Sequence, residues 1–443
     1  MQYSTLKKTL RDMTEPYQLT LGQMAQAIRA RSLTSEALVS SCLERIVQVD
    51  PDILAWASLD AEAALTRARA LDQEAPRSLL HGIPIGVKDI IDTTDFVTSY
   101  NSPIYQTHRP TTNANIVTRA LAAGAIVLGK TTTQEFATRG NVSPTRNPHS
   151  ALHSPGGSSS GSAAAVGASM VPLALSSQTA GSIVRPASYC GVVGYKASYG
   201  LIDIAGVKGM SPTLDTLGWH TRCVQDAAIA LSLLSNWQDL QTFERGFTGE
   251  LCVGICEDPF WSLAETATRD ALSFTRERLE RAGIRVMNIR LPSGFEKLGT
   301  ALDVISDVEG LASLEHEWQN HRDGLSAGVQ QKLQRAQTIT AQSYEEAKRL
   351  GRTCSEQSAS LFAGATCILT PSSPGYAPLL ELKDPGDSCF SKLWTILGMP
   401  SVSIPVPLPG PLPIGLEVIC PKGQDTLTLQ VAQHIAEILN QTS

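Results

Sequence analysis

The chain has 443 residues, of which 42% are hydrophobic and 18% charged, and carries a formal net charge of −6. These proportions allow a large buried core and exclude the disordered and fibrous classes. The charge is spread along the chain with no dense run of Lys and Arg to track a phosphate backbone, so no nucleic-acid partner is expected.

The opening MQYSTLKKTLRDM lacks the apolar core of a signal peptide, and the longest apolar run, AAAVGASMVPLAL, is too short and too rich in small residues to span a bilayer. A cytoplasmic protein without membrane contact is expected. LTLGQMAQAIRARSLTSEALVSSCLERIVQV then shows helical periodicity with Thr20 and Thr34 placed as N-caps, so residues 1–75 read as a helical layer. From Gly82 the texture changes to short β-branched runs (IPIGVKDII, AIVLGK, LCVGIC, IRVMNIRL, CILTP, SVSIPV, IGLEVIC) separated by helical segments, the pattern of an α/β sheet with covering helices. Residues 80–235 form the core of this pattern, and 262–362 read as a mostly helical cover that serves as a wall of the site. Residues 363–443 return to strands and close on the helix TLTLQVAQHIAEIL. No linker rich in Pro, Gly or Ser divides the chain, which predicts one domain over 1–443.

Nine cysteines lie between Cys42 and Cys420 with no C-x-x-C pair, which suits reduced core thiols, Cys190 among them, rather than disulfides or zinc. His149 and His153 have the spacing of a helical metal pair but sit in the loop-like NPHSALHSP, so no metal is expected there. No cofactor is expected either.

PGGSSSGSAAAVG, residues 155–167, packs three serines between glycines, and three readings compete for it. A phosphate cradle fails for lack of the glycine spacing and the lysine it needs. A nucleophile elbow at Ser159 matches G-x-S-x-G, but a polar, proline-containing loop precedes it where a strand is required, and its histidine would have to be His220, His316, His321 or His434. The third reading is a serine network served by a base from elsewhere. Lys88, near the end of the apolar run IPIGVKDII, is placed to lose its charge by burial, and Ser182 follows the apolar run LALSSQ in a turn of small residues.

Taken together, GVKD, PGGSSSGSAAAVGA, QTAGSIVRPASYCGVVGYK and LDTLG resemble the amidase signature family, and within it a malonamidase-like branch. The likeness continues through GKTTTQEFA and LWTILGMPSVSIP, and is weak in the first eighty residues and the helical middle. It implies an α/β fold with a large mixed central sheet covered by helices on both faces. It also implies a Ser-cisSer-Lys triad in which Ser182 is the nucleophile, Ser158 the bridging serine after a cis peptide bond, and Lys88 the base. The chemistry is coherent, because a serine hydroxyl needs a base and a neutral lysine relayed through a second hydroxyl can take a proton and return it to a leaving amine.

The backbone N–H groups of Thr179, Ala180, Gly181 and Ser182 are the expected oxyanion hole. Here the sequence departs from the commonest family pattern, which has Asp at Gln178 and Gly at Ala180; since Ala resists a positive φ, an altered hole is expected. Arg185 matches a family arginine that holds a substrate carboxylate, or else is tied to backbone carbonyls, while Phe136, Tyr189 and Trp394 are pocket walls by resemblance or else core. Asp89 and Asp215 are expected to anchor backbone, and Ser159 and Ser160 to hydrogen-bond structurally.

The function expected from these residues is an amidase that cleaves a small-molecule amide through a seryl acyl-enzyme, a carboxylate-bearing monoamide being one candidate. Ester, carbamate or aryl-amide hydrolysis with the same triad is the alternative, and an amidotransferase-type subunit stands last. The expected partners are the small amide substrate and a second copy in a homodimer.

Overall fold

The computed structural model describes residues 15–138, 140–235, 243–257 and 259–441; the opening MQYSTLKKTLRDM lies outside them. The first half of the chain runs α1 (Leu21–Arg29), α2 (Ser35–Ile53), β1 (Trp56–Leu59), α3 (Ala61–Asp72), β2 (Pro84–Lys88), α4 (Asn115–Ala122), β3 (Ile126–Thr131), α5 (Ser160–Gly167), β4 (Leu173–Gln178), α6 (Val184–Cys190), β5 (Val193–Lys196), β6 (Thr216–Thr221) and α7 (Val224–Leu234). The second half runs β7 (Cys252–Ile255), α8 (Thr266–Arg281), β8 (Arg285–Asn288), α9 (Leu298–Ser313), α10 (Glu315–Asn320), α11 (Ala327–Gln337), α12 (Ala341–Gln357), β9 (Cys367–Pro371), α13 (Cys389–Ile396), β10 (Ser401–Pro405), β11 (Gly415–Ile419) and α14 (Asp425–Asn440).

Eleven strands make one mixed sheet in the order β1-β3-β2-β4-β6-β5-β10-β11-β9-β7-β8. Parallel pairing is confined to two runs, β3-β2-β4 and β9-β7-β8, and the other neighbours are antiparallel. Every residue of β2, β4, β5 and β6 is buried, so both faces of the sheet centre are covered. This explains why IPIGV in β2 and LAL in β4 read as continuous apolar runs instead of alternating ones. Helix starts follow local chemistry: Thr20 and Thr34 accept the N–H groups of Gln23 and Ala37. The Asp226 carboxylate, in the first turn of α7, accepts from Leu21 and Gly22 N–H and so docks the start of α1.

One strand lies where the sequence predicts only helix. Trp56–Leu59 adds β1 to the sheet edge, antiparallel to β3. Four residues, alternately half-buried and exposed, are too few to show a period against the helices around them. No helix among the described residues is long and apolar enough to cross a membrane, and no group of His, Cys, Asp or Glu among them could hold a metal ion. The nine cysteines are free thiols, and burial pushes the Cys190 thiol well above its ordinary range.

The parallel strands β2, β3 and β4 end at the same side of the sheet, the place where open α/β sheets present functional groups. Helix α5 packs against them through residues no larger than valine. At Gly161 a Cβ would lie 2.2 Å from the Ala55 carbonyl oxygen and 2.4 Å from Thr132 N, both backbone atoms that cannot swing aside. Gly161→Ala should therefore destabilise the protein by about 1–3 kcal/mol or more through overpacking; a urea midpoint equal to wild type would disprove this account of the small-residue helix.

Candidate active site

Lys88 is the last residue of β2, and Ser177 and Gln178 end its parallel neighbour β4. The Lys88 side chain is wholly buried, with Nζ 2.7 Å from Ser158 Oγ, 3.0 Å from Ser177 Oγ and 3.4 Å from the Ser177 carbonyl. Burial pulls its pKa down from the ordinary lysine value to about 7; Asp215 opposes this and Arg185 reinforces it. No carboxylate among the described residues lies within ion-pair distance of this amine.

Ser158 follows a cis peptide bond from Gly157, and its carbonyl accepts from Gln134 N and Thr133 Oγ1. Ser159 N donates to the Ser182 carbonyl at 3.4 Å, which brings the serine loop against the turn before α6. The other two hydroxyls of the loop serve the backbone, Ser159 donating to the Ser177 carbonyl and Ser160 to that of Gly156. This removes the elbow reading at Ser159. His220, the nearest of its candidate histidines, instead contacts Ser176 Oγ and the Ile183 carbonyl, each at 2.9 Å, and burial holds its pKa down at about 4.

Ser182 opens onto a cavity of about 490 Å³ together with Thr179, Ala180, Gly181 and Arg185. The backbone N–H groups of Ala180, Gly181 and Ser182 make no hydrogen bond within the described residues. Ala180 takes no positive φ, so the turn is built without the conformation that Ala was expected to resist. Its shape comes from Gln178, whose Oε1 accepts from Ile183 N (2.8 Å) and Val184 N (3.2 Å), while Thr179 Oγ1 donates to Asp215 at 2.5 Å. Asp215 also accepts from Met210 and Ser211 N–H, and Asp89 from Ser99, so both aspartates anchor backbone.

The far wall of the cavity comes from the helical segment. Asp307 of α9 is held by Lys332 (2.8 Å) and Arg335 (2.5 Å) of α11, and Lys392 of α13 by Asp303 (2.7 Å). Nothing short in the sequence marked these residues, because they converge only through helix packing.

Arg185 lines the cavity, but its guanidinium donates to the Gly157 and Gly386 carbonyls at 2.5 Å each, the backbone-tied alternative. Phe136, Tyr189 and Trp394 do not reach the cavity wall. Phe136 packs in the main core beside the Tyr100 and Tyr105 rings, Tyr189 with Ala377 and Leu412, and Trp394 with Phe295 and Leu298. Large rings gain most by full burial, and these three are 1–2% exposed. Sequence reasoning missed Ser177; a Ser-Ser pair ending a buried strand one residue short of Gln178 was the available signal.

A family model described as Amidase matches residues 37–429. The A subunit of the glutamyl-tRNA(Gln) amidotransferase of Natranaerobius thermophilus is 28% identical, with 96% of each chain covered. Its counterpart from Thermotoga maritima is 31% identical over 90% of this chain and 91% of its own, and a solved structure of the T. maritima A subunit superposes with a TM-score of 0.79 at 27% identity, covering 96% of this chain and 95% of that one. The peptide amidase of Stenotrophomonas maltophilia superposes with a TM-score of 0.84 at 26% identity, covering 97% and 99%. The chain therefore belongs to the amidase signature family, enzymes that act on carbon–nitrogen bonds as hydrolases or amidotransferases.

Proposed function

We propose that the chain is the amidase component of an amidotransferase-type enzyme: it releases ammonia from an amide donor through an acyl-serine at Ser182, for transfer to an acceptor held by a partner chain. This corrects the expectation of a free-standing hydrolase of small amides, with esters, carbamates or aryl amides as alternatives. The curated relatives at 28–31% identity over nine-tenths or more of the chain are A subunits of glutamyl-tRNA(Gln) amidotransferase. The absence of a dense basic run agrees with an acceptor gripped by another chain.

The observation that carries the chemistry is the buried Lys88 amine 2.7 Å from Ser158, beside the cavity that Ser182 lines. In this reading neutral Lys88 draws the proton from Ser158 as Ser158 takes that of Ser182, and Ser182 Oγ adds to the donor's amide carbonyl. The N–H groups of Thr179 to Ser182 receive the oxyanion. Collapse breaks the C–N bond, and the same relay returns the proton to the departing nitrogen, which leaves as ammonia. Water then adds to the acyl-serine as the relay takes its proton, the acyl C–Oγ bond breaks with that proton returned to Ser182, and the donor leaves as its acid. Arg185 holds the Gly157 carbonyl and so braces the peptide before Ser158.

Three outcomes are expected. A fluorophosphonate should label Ser182, and Ser182→Ala should abolish labelling and ammonia release together; labelling that persists on Ser182→Ala moves the nucleophile elsewhere. Because the amine must be uncharged to accept a proton, the labelling rate should rise with pH through about 7, following deprotonation of Lys88. Lys88→Arg, charged at every working pH, should label slowly throughout and lose that limb; an unchanged pH profile would remove Lys88 as the base. Finally, affinity purification of the chain from its own cells should recover a stoichiometric partner and donor-dependent amide transfer. A chain that purifies alone and releases ammonia at full rate without an acceptor would overturn the amidotransferase reading.

A further inference from the structure

The turn that faces the cavity is gripped from helix α13 at two points. A Cβ on Gly181 would lie 2.6 Å from Ser388 Cβ, so this residue before α13 closes one side of the turn against any side chain. At the other end of α13, Thr395 Oγ1 donates to the Ala180 carbonyl at 2.9 Å and accepts from Gln178 Nε2 at 3.1 Å. Gln178 is fully buried, and its amide oxygen already holds Ile183 and Val184 N–H at the start of α6. One side chain thus reaches both ends of the turn, through its oxygen directly and through its nitrogen by way of a threonine.

The geometry of the peptide gives this contact a consequence. The Ala180 carbonyl and the Gly181 N–H belong to one planar trans peptide, so their oxygen and hydrogen project to opposite sides. Pinning that oxygen onto Thr395 turns the Gly181 N–H away from α13, and Gly181 borders the cavity. We propose that Gln178 and Thr395 form a hydrogen-bonded clamp that aims the Gly181 N–H at the amide carbonyl of the donor, which makes both of them positioning residues for C–N cleavage. The inference rests on the acyl-serine reading above.

The clamp gives the amide of Gln178 a task that a carboxylate could not perform. An aspartate at position 178 could accept from Ile183 and Val184 N–H, but it is one methylene shorter and has no N–H to donate to Thr395. The amide of Gln178 supplies that donor and leaves the threonine hydroxyl proton for the Ala180 carbonyl, so the turn is fixed by side chains where a glycine at 180 would leave it to backbone freedom.

The test is the saturation kinetics of fluorophosphonate labelling at Ser182, with the modified residue mapped, alongside the thermal midpoint of each variant. Thr395→Val, nearly isosteric, should slow the maximal labelling rate about 10-fold or more while leaving half-saturation within about twofold; losing an oxyanion donor outright costs about 10²–10³. Thr395→Ser keeps the hydroxyl and should restore the rate to within about twofold of wild type. Gln178→Glu should behave like Thr395→Val, since a carboxylate cannot donate and would draw the threonine proton away from Ala180. A purely packing role predicts the reverse order, with Thr395→Ser as slow as Thr395→Val or both losing thermal midpoint at an unchanged labelling rate, and either result overturns the clamp. If Thr395→Val does not fold, the Gln178→Glu and Thr395→Ser pair decides in the same way. Wild-type labelling at a residue other than Ser182 would bring down the acyl-serine reading and the clamp together; labelling at Ser182 that the variants leave untouched brings down the clamp alone.

Discussion

A primary amine at the end of a strand covered on both faces has no water to hydrate an ammonium ion, and the site is organised around that constraint. Lys88 meets it by moving toward the neutral form and by pairing with two hydroxyls in place of a carboxylate. The contrast with its neighbour on β3 is instructive. Lys130 is equally buried, but it sits 3.4 Å from the Asp89 carboxylate, which opposes the lowering by burial, and it donates to Thr98 and the Ile91 carbonyl. Two lysines on adjacent parallel strands thus divide two roles. Lys130 with Asp89 secures the chain beyond β2, while Lys88, with no carboxylate partner, faces the hydroxyls of Ser158 and Ser177.

The serine loop must then be held against Lys88 without a side chain filling the space between. Arg185 does this from α6 by taking the Gly157 carbonyl, and its second bond to Gly386 ties the loop to the segment that leads into α13. The same α6 begins on the oxygen of Gln178, so the Gly157-Ser158 loop, the turn with Ser182 and the helix that follows it form one hydrogen-bonded unit. The opposite wall is a separate unit: burial raises the Asp307 carboxyl, but Arg335 and Lys332 outweigh it and hold the group below its ordinary value, which locks α9 to α11. The lysine and serine cluster belongs to the sheet, and the opposite wall of the cavity belongs to the helices.

This division explains what could be read from the sequence. Lys88, Ser158 and Ser182 stood out because each sits in a short run of constrained residues, glycines and small side chains whose spacing survives as a local signal. The Asp307, Lys332 and Arg335 wall left none, since amphipathic helices carry charged residues everywhere and only packing decides which of them face a cavity. Phe136, Tyr189 and Trp394 show the limit of a resemblance, which left pocket wall and core open for each; all three are buried, where large rings gain most. The edge strand β1 was hidden by its length, and Gln178 was visible as a departure without its partner Thr395, which lies 217 residues further on.

The expectation of a free hydrolase came from the same locality. A Ser-Ser-Lys relay and an oxyanion turn specify how a C–N bond is broken, and an acyl-serine forms identically whether the ammonia escapes to solvent or is handed on. The fate of the nitrogen is set by what stands over the cavity mouth, a property of surfaces and partners that no catalytic motif encodes. The A-subunit relatives are matched along nine-tenths or more of both chains, and the peptide amidase superposes over 97% of this chain and 99% of its own, so what whole-chain likeness carries is the shared fold and bond-breaking chemistry, and the fate of the nitrogen is decided at the cavity mouth.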